Sequence, residues 1–548
     1  MITSSIKHTT VRILQCIAFL CLFLAAFGGV VRLVERKQSI NKNAAFFDEA
    51  AKGHVDVLFA GSSHVINGIN PVQIYEETGI TSYNIGGHGN TLPATYWTIA
   101  NALDYCSPQF VFIDTYMLEK DYRYLDEMTD EYTDADRQSS IDQFHAVLDA
   151  YPLSKTKLAA LNDLLSTQKL RNEFIFNFEK YHSRWSELSR NDFETAAGRG
   201  GRNTLMGAEL RFDTGSGSIR TYPRVFQEDR QESESEGTAY LRKIIELCQA
   251  RGIHPILMQV PYAADEDSQR WANHAYDIAG EYDIPFVNMM YVKDLINMSS
   301  DLSSQTHLSS YGSYKVTEYM ADVLSTLGLT DHRGDTDYAE WDSLVDSYHE
   351  SVRNAAAGAE DLYSELMLLQ YRDLSSVIFV NDSTNVLMDS LVREELADLG
   401  AGDAMDTAAK KGRSCVLIRD AGGPEDGQAA VPGEAEANGS ADSAEGNANS
   451  PAEASDRSEG CTTTDTDGDS AVTGLETSFG TVSFSSPAAG WNALTVDGND
   501  SIPDELRENL LQYYDDNDVD VQVFVFDSRD GSFLAKLKFN GAGFTRVY

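Results

Sequence analysis

The chain has 548 residues, a hydrophobic fraction of 42%, and 85 acidic against 43 basic residues, for a formal net charge of −42. That length implies more than one domain, and the apolar content suffices for packed cores. The charge excludes sequence-independent binding to nucleic-acid phosphates and disfavours polyanionic partners.

Residues 1–12 read as a short polar tail, expected in the cytoplasm. Residues 13–34 read as a membrane anchor, apolar as far as Val31 and about long enough to cross a bilayer. Lys7 and Arg12 precede the span and Arg32, Arg36 and Lys37 follow it, so loop charge does not decide orientation. An uncleaved anchor is favoured over a signal peptide cut near Ala26-Phe27-Gly28. A juxtamembrane helix is expected over 41–53.

The stretch D-V-L-F-A-G-S-S-H-V-I-N, 56–67, is the segment around which the rest of the chain is organised. Val57, Leu58, Phe59 and Ala60 form a continuous apolar run, as in a parallel strand covered on both faces. Gly61 ends the run and Ser62 and Ser63 come next, at the sheet edge where open α/β folds place their sites. A helix is expected over 71–78, a strand over 81–85, a helix over 93–105 and a strand over 110–114. The alternation then stops. Residues 121–236 read as an insertion, helical and polar at first and poor in strand signals after 196. It resumes with a helix over 240–251, a strand over 254–260, a helix over 269–281, a strand over 285–289, a loop carrying His307 and a helix over 313–327. This order predicts an α/β domain over 45–330 with a parallel sheet flanked by helices.

Residues 331–372 read as a helical connector. A smaller α/β domain is expected over 373–548, with strands at 377–381, 414–419, 480–485 and 519–526, helices at 385–399 and 503–514, and a hairpin into 533–539. Residues 422–474 read as an acidic linker interrupting it, too poor in apolar side chains over 422–470 to offset the entropy of ordering. Of the six cysteines, Cys16 and Cys21 lie in the apolar N-terminal stretch. Cys106 and Cys248 read as isolated buried thiols, and Cys415 and Cys461 are candidates for a bridge. No C-x-x-C pair occurs, so no metal site is expected. Asp465 to Glu476 has the ligand spacing of a calcium loop, but acidic tracts make such matches by chance.

Gly61-Ser62-Ser63-His64 after the first strand, Asn84-Ile85-Gly86-Gly87-His88-Gly89-Asn90 after the second, and His307-Leu308-x-x-x-Gly312-x-x-Lys315 near the domain end resemble the SGNH hydrolase superfamily. The similarity is to the G-S-S branch, which includes D-alanyl-lipoteichoic acid biosynthesis and alginate O-acetyltransferase-like proteins. It implies a flavodoxin-like sheet, a location outside the cytoplasmic membrane and acyl chemistry on a cell-envelope or secreted glycan without a cofactor. It also implies a membrane-bound O-acyltransferase as partner.

On the resemblance, Ser63 is the nucleophile, His307 its base, and the N–H groups of Ser63 and Gly89 the oxyanion donors. Two serines after a strand also suit plain helix capping. Asn84 and His88 are expected to shape the loop, and His64 either to touch substrate or to be a bystander. His182, Arg184 and Trp185 could line a sugar groove or simply pack a helix, with Arg184, Arg199 and Arg202 forming a basic patch. The family acid three residues before the histidine is replaced by Ser304, leaving Asp301 or Asp114 as substitutes. The family asparagine after the third strand is absent, its place held by Ile113-Asp114-Thr115-Tyr116. The resulting expectation is a serine-dependent acyltransferase or esterase. The alternative is a degenerate scaffold that binds glycan or docks the acyltransferase.

Overall fold

The computed structural model describes residues 2–547 except 36, 129–132, 198–202, 216, 381–384, 402–414, 423–460, 466–471, 486–492, 504–518 and 542. The chain begins with helix α1 (Ile2–Val34), then α2 (Lys37–Lys52), β1 (Val57–Ala60), α3 (Ser63–Gly68), α4 (Pro71–Thr78), β2 (Ser82–Asn84), α5 (Leu92–Ala102) and β3 (Phe110–Asp114). Within α1, Thr10–Val34 is long and apolar enough to cross a membrane and is almost wholly exposed. Five helices follow β3: α6 (Asp134–Leu148), α7 (Lys155–Leu164), α8 (Gln168–Ile175), α9 (Phe178–Tyr181) and α10 (Arg190–Ala196). After an irregular stretch come α11 (Glu236–Ala250), β4 (His254–Gln259), α12 (Glu266–Tyr282), β5 (Phe286–Asn288), the strands β6 (Leu302–Ser304) and β7 (His307–Leu308), and α13 (Ser310–Ser325).

Strands β1 to β5 form one parallel sheet in the order β2-β1-β3-β4-β5. Its strands are apolar on both faces because both are covered. Leu58, Ala60, Val111, Ile113 and Leu257 join one core with Ile99 of α5 and Tyr240 and Ile244 of α11. Val57, Phe59, Phe112, Ile256 and Met258 join the other with Ile74 of α4 and Val316, Met320 and Leu324 of α13. Strand order reverses between β1 and β3, and the crevice beyond their C-terminal ends is where open α/β sheets bind ligands.

The local signals for α4 are complete. The Asn70 side chain accepts from the Val72 N–H, Pro71 fills the first turn and Gly79 closes the helix at φ +73°.

The expected connector is a packed element. Helix α14 (Ala339–Ala357) buries Trp341, Tyr348 and Val352, and α15 (Leu362–Leu368) follows after a break at Gly358. The remaining elements are β8 (Leu374–Val380), α16 (Ser390–Asp398), β9 (Cys415–Arg419), β10 (Cys461–Asp465), β11 (Val472–Thr477), β12 (Gly480–Ser485), β13 (Ala493–Asp497), β14 (Val521–Asp527), β15 (Phe533–Asn540) and β16 (Thr545–Arg546). They build a six-stranded antiparallel sheet, β10-β9-β8-β14-β15-β16, and a three-stranded one, β11-β12-β13. Ile378 and Val523 continue the core of the first domain, whereas Phe379 and Phe524 face Phe479 and Val482 of the small sheet. The second domain is therefore antiparallel β with helices on one face, which corrects the expectation of a second α/β unit.

Two further expectations change. The linker of 422–474 is interrupted, because 461–465 and 472–477 are strands; its residues 423–460 lie outside the described ones. In the β9–β10 ladder Cys415 stands opposite Asp465 and Cys461 opposite Arg419. At the strand rise the two cysteines are roughly 13 Å apart, beyond the roughly 7 Å a bridge tolerates. The calcium-like loop and the helix expected at 503–514 fall largely on residues outside the described ones. Cys106 and Cys248 are free thiols, each pushed up to about 12 by burial.

Candidate active site

Chain turns at the end of β1 separate the two adjacent serines. Ser62 is the N-cap of α3, accepting from the His64 N–H, and its hydroxyl donates to Asp114 at 3.3 Å. Gly61 is required there. A Cβ would lie 2.6 Å from the Asp114 Cβ and 2.8 Å from Val65 Cγ2. Ser63 is left to face the crevice. Its Oγ is 2.8 Å from Nε2 of His307, a residue 244 positions away. The Ser63 N–H, one of the unpaired amides at a helix start, has no partner among the described residues. The same holds for the N–H of Gly89, which sits exposed in the turn after β2 at φ +66°. Glycine serves there for its backbone angle, since the space around it is open.

His307 is held from behind by hydroxyls. Strands β6 and β7 form a tight hairpin that sets Ser304 opposite His307. Ser304 Oγ lies 2.9 Å and Thr306 Oγ1 3.1 Å from His307 Nδ1. With the proton on Nδ1, either hydroxyl accepts it and Nε2 is free to accept from Ser63. Burial, then the charge of Arg211 and the proximity of His88, lower His307 to about 4, so the ring is neutral at pH 7.

Neither candidate carboxylate reaches the ring. Asp301, fully buried, accepts from Lys315 Nζ at 2.8 and 3.0 Å and from the Asn297 N–H at 2.7 Å. The expectation that it orients the histidine is corrected. It fastens the hairpin to α13, and Gly312 lets that helix pass, because a Cβ would lie 2.2 Å from the Asp301 carbonyl oxygen. The Gly and Lys of the H-L-x-x-x-G-x-x-K motif are thus both explained by Asp301. Asp114 lies buried under Ser62, and burial pushes it up to about 7 despite the hydrogen bond from that hydroxyl.

His64 is buried rather than an exposed loop residue. Its ring stacks on Tyr116 at 3.5 Å, meets Tyr262 edge-on at 4.9 Å and lies 5.9 Å from the His307 ring. Burial and then its neighbour His307 hold it well below the usual histidine value. It is a neutral wedge beside His307. Asn84 is a brace, its Nδ2 donating to the carbonyls of Val65 and Ile69 at the end of α3. His88 stays at the rim, 2.9 Å from Glu209 Oε2, with its ring 6.5 Å from that of His307.

The insertion supplies what sequence reading missed. The chain at 206–211 lies along the crevice. The Asn84 N–H donates to the Met206 carbonyl, the Glu209 N–H to Ile66, and Asn67 Nδ2 to the Glu209 carbonyl. Arg211 Nε donates to Asn67 Oδ1 at 3.3 Å, one helical turn after Ser63. Nothing in the run E-L-R-F singles it out in sequence.

The remaining expected residues lie elsewhere. Arg184 donates to the Val34 carbonyl at the end of α1 and pairs with Asp192 and Glu187. His182 is exposed and bonded to the Glu179 carbonyl, and Trp185 is half exposed. These three do not join the Ser63–His307 pair: Arg184 is tied to the end of the apolar helix, with His182 and Trp185 close to it in sequence. Of the basic patch, Arg199 and Arg202 lie outside the described residues.

No family model matches the chain, and no curated protein matches its sequence. The site's meaning therefore rests on its own geometry.

Proposed function

We propose that the chain is a membrane-anchored, extracytoplasmic acyltransferase or esterase of the SGNH type, acting on O-acyl groups of a cell-envelope or secreted glycan. The observation that carries the reading is the 2.8 Å approach of Ser63 Oγ to His307 Nε2 at the sheet's switch point. A hydroxyl needs a base within that reach to attack at neutral pH.

In this reading His307 Nε2 takes the Ser63 proton as Oγ attacks the ester carbonyl. The tetrahedral oxyanion forms against the N–H groups of Ser63 and Gly89. The imidazolium then returns its proton to the departing alkoxide, which leaves the acyl group on Ser63. A glycan hydroxyl, or water, attacks next and gives its proton to His307, which passes it to Ser63 Oγ as the acyl–Oγ bond breaks, restoring the serine and the neutral histidine. Ser304 and Thr306 hold the tautomer without offering a negative charge to the imidazolium. The roughly 10⁴ lost with a triad aspartate in a serine protease comes largely from the wrong tautomer, which these hydroxyls prevent; the charge support alone is missing here.

That same neutral support favours the second reading, a scaffold that binds glycan or docks a membrane-bound O-acyltransferase. The deciding experiment incubates the full chain in detergent with 4-nitrophenyl acetate and a panel of polysaccharides. Acetyl found on the Ser63 peptide, and moved to a polysaccharide, is expected. Nitrophenol release unchanged by Ser63→Ala would sink the enzyme reading.

A further inference from the structure

Helices α8 to α10 sit against the apolar part of α1, not merely near its end. The ring of Phe27 lies 6.1 Å from that of Phe176 and 5.1 Å from that of Phe178. Phe27 is seven residues before Val34, the last residue of the span, or about 10 Å deep along the helix axis. Whatever solvent surrounds Phe27 also surrounds the turn between α8 and α9. The junction is fixed by polar contacts as well. Arg184 Nη1 donates to the Val34 carbonyl and Asn177 Nδ2 to Glu35, both at 2.7 Å.

The surface beside the end of the span carries three exposed aromatic rings among polar side chains. Phe176 is 46% exposed, Trp185 51% and Phe193 55%. The N-terminal apolar helix aside, these are among the few large apolar side chains left exposed on the described residues, and they gather on three neighbouring short elements. An exposed apolar cluster marks an interaction surface. Trp185 and Phe193 each follow directly on a residue of the Arg184–Asp192 pair that is tied to Val34, and aromatic rings near the end of a span are what the bilayer interface accommodates, since a ring face meets acyl chains while the indole N–H meets headgroups.

We propose that Phe176, Trp185 and Phe193 form a second membrane contact, seated in the headgroup and upper acyl region of the leaflet from which α1 emerges. The occupant is a phospholipid surface. The contact rests on α1 being a membrane span. It turns a single flexible tether into a two-point attachment and fixes the tilt of the catalytic domain. The insertion that bears it also runs along the crevice at 206–211, so one segment holds both the membrane and the site's rim.

The test uses the full chain in phosphatidylcholine vesicles, with lipids brominated either near the headgroup or deep in the acyl chain. Flotation with the vesicles is read first, tryptophan emission second, in the wild type and in Trp185→Phe. The chain is expected to float. Shallow bromines should quench the wild type more than the variant, by the share of one tryptophan in five, and deep bromines should show a smaller difference. Equal quenching of the two proteins that both float overturns the contact while leaving the anchor intact. A chain that does not float overturns the anchor and the contact together. The variant is conservative, and a circular dichroism spectrum matching the wild type establishes that it folds.

Discussion

The two sides of the crevice differ in how they are built. On one side, Ser63 and His307 stand on the first turn of α3 and on a tight hairpin, held by a helix cap, by the close passage of Gly61 and Gly312, and by the Asp301–Lys315 pair. On the other, Glu209 and Arg211 come from irregular chain with no helix or strand of its own, held by individual hydrogen bonds such as Asn84 N–H to Met206, Glu209 N–H to Ile66, Asn67 to Glu209 and Ser310 N–H to Arg211. The contrast teaches that the Ser63–His307 pair is placed on regular elements, while the insertion supplies the rim of the crevice. Groups that must meet within a hydrogen-bond length need the rigid side. Groups that select a substrate are more often carried by loops placed on such a frame.

Gly312→Ala should break the rigid side most severely. Its Cβ would meet the Asp301 backbone at 2.2 Å, and backbone has little room to give. A loss of about 3 kcal/mol is expected from overpacking, read as a lowered calorimetric midpoint. An unchanged midpoint would mean that α13 does not pass so close.

The hydroxyl support comes next. Ser304→Ala combined with Thr306→Val removes both partners of His307 Nδ1 and leaves a partly buried donor unpaired. A deficit of about 2 kcal/mol in holding the reactive tautomer corresponds to roughly thirtyfold slower reaction of Ser63 with an activated ester, alongside a lowered midpoint. A rate equal to wild type would show that the hydroxyls do not hold the tautomer.

The pH profile separates the two sides. His307 works only when neutral, and burial with nearby positive charge sets it near 4. The rate should therefore fall as pH drops through about 4 and stay level toward neutrality. Arg211→Gln removes a positive charge beside the ring, which eases protonation and moves that limb to higher pH. A limb unmoved by the change would place Arg211 too far away to matter. The smallest effect belongs to His182→Ala, which should leave the ester rate within about twofold, because His182 lies beside the apolar helix. A larger drop would restore it to the site.

Much of the rigid side was legible. The apolar run at 57–60, the cap, proline and glycine around α4, and the serine and histidine that meet are local patterns with local causes. Asp301 was not, because sequence distance from His307 does not show that Lys315 captures it. The Thr-rich strand 461–465 was hidden in polar chain, since β-branched threonine favours strands without adding apolar weight. His182, Arg184 and Trp185 suited a sugar groove as well as plain helix packing. The bond from Arg184 to Val34 shows which end of the molecule they lie at, and no sequence pattern carries that.

The central claim is that Ser63 is activated by His307. Its most direct measurement is labelling of the full chain by a fluorophosphonate probe, in wild type, Ser63→Ala and His307→Ala, with circular dichroism confirming that all three fold. The account predicts labelling of the wild type at Ser63, none in Ser63→Ala and at least a hundredfold slower labelling in His307→Ala. A well-folded wild type that takes up no probe would contradict it.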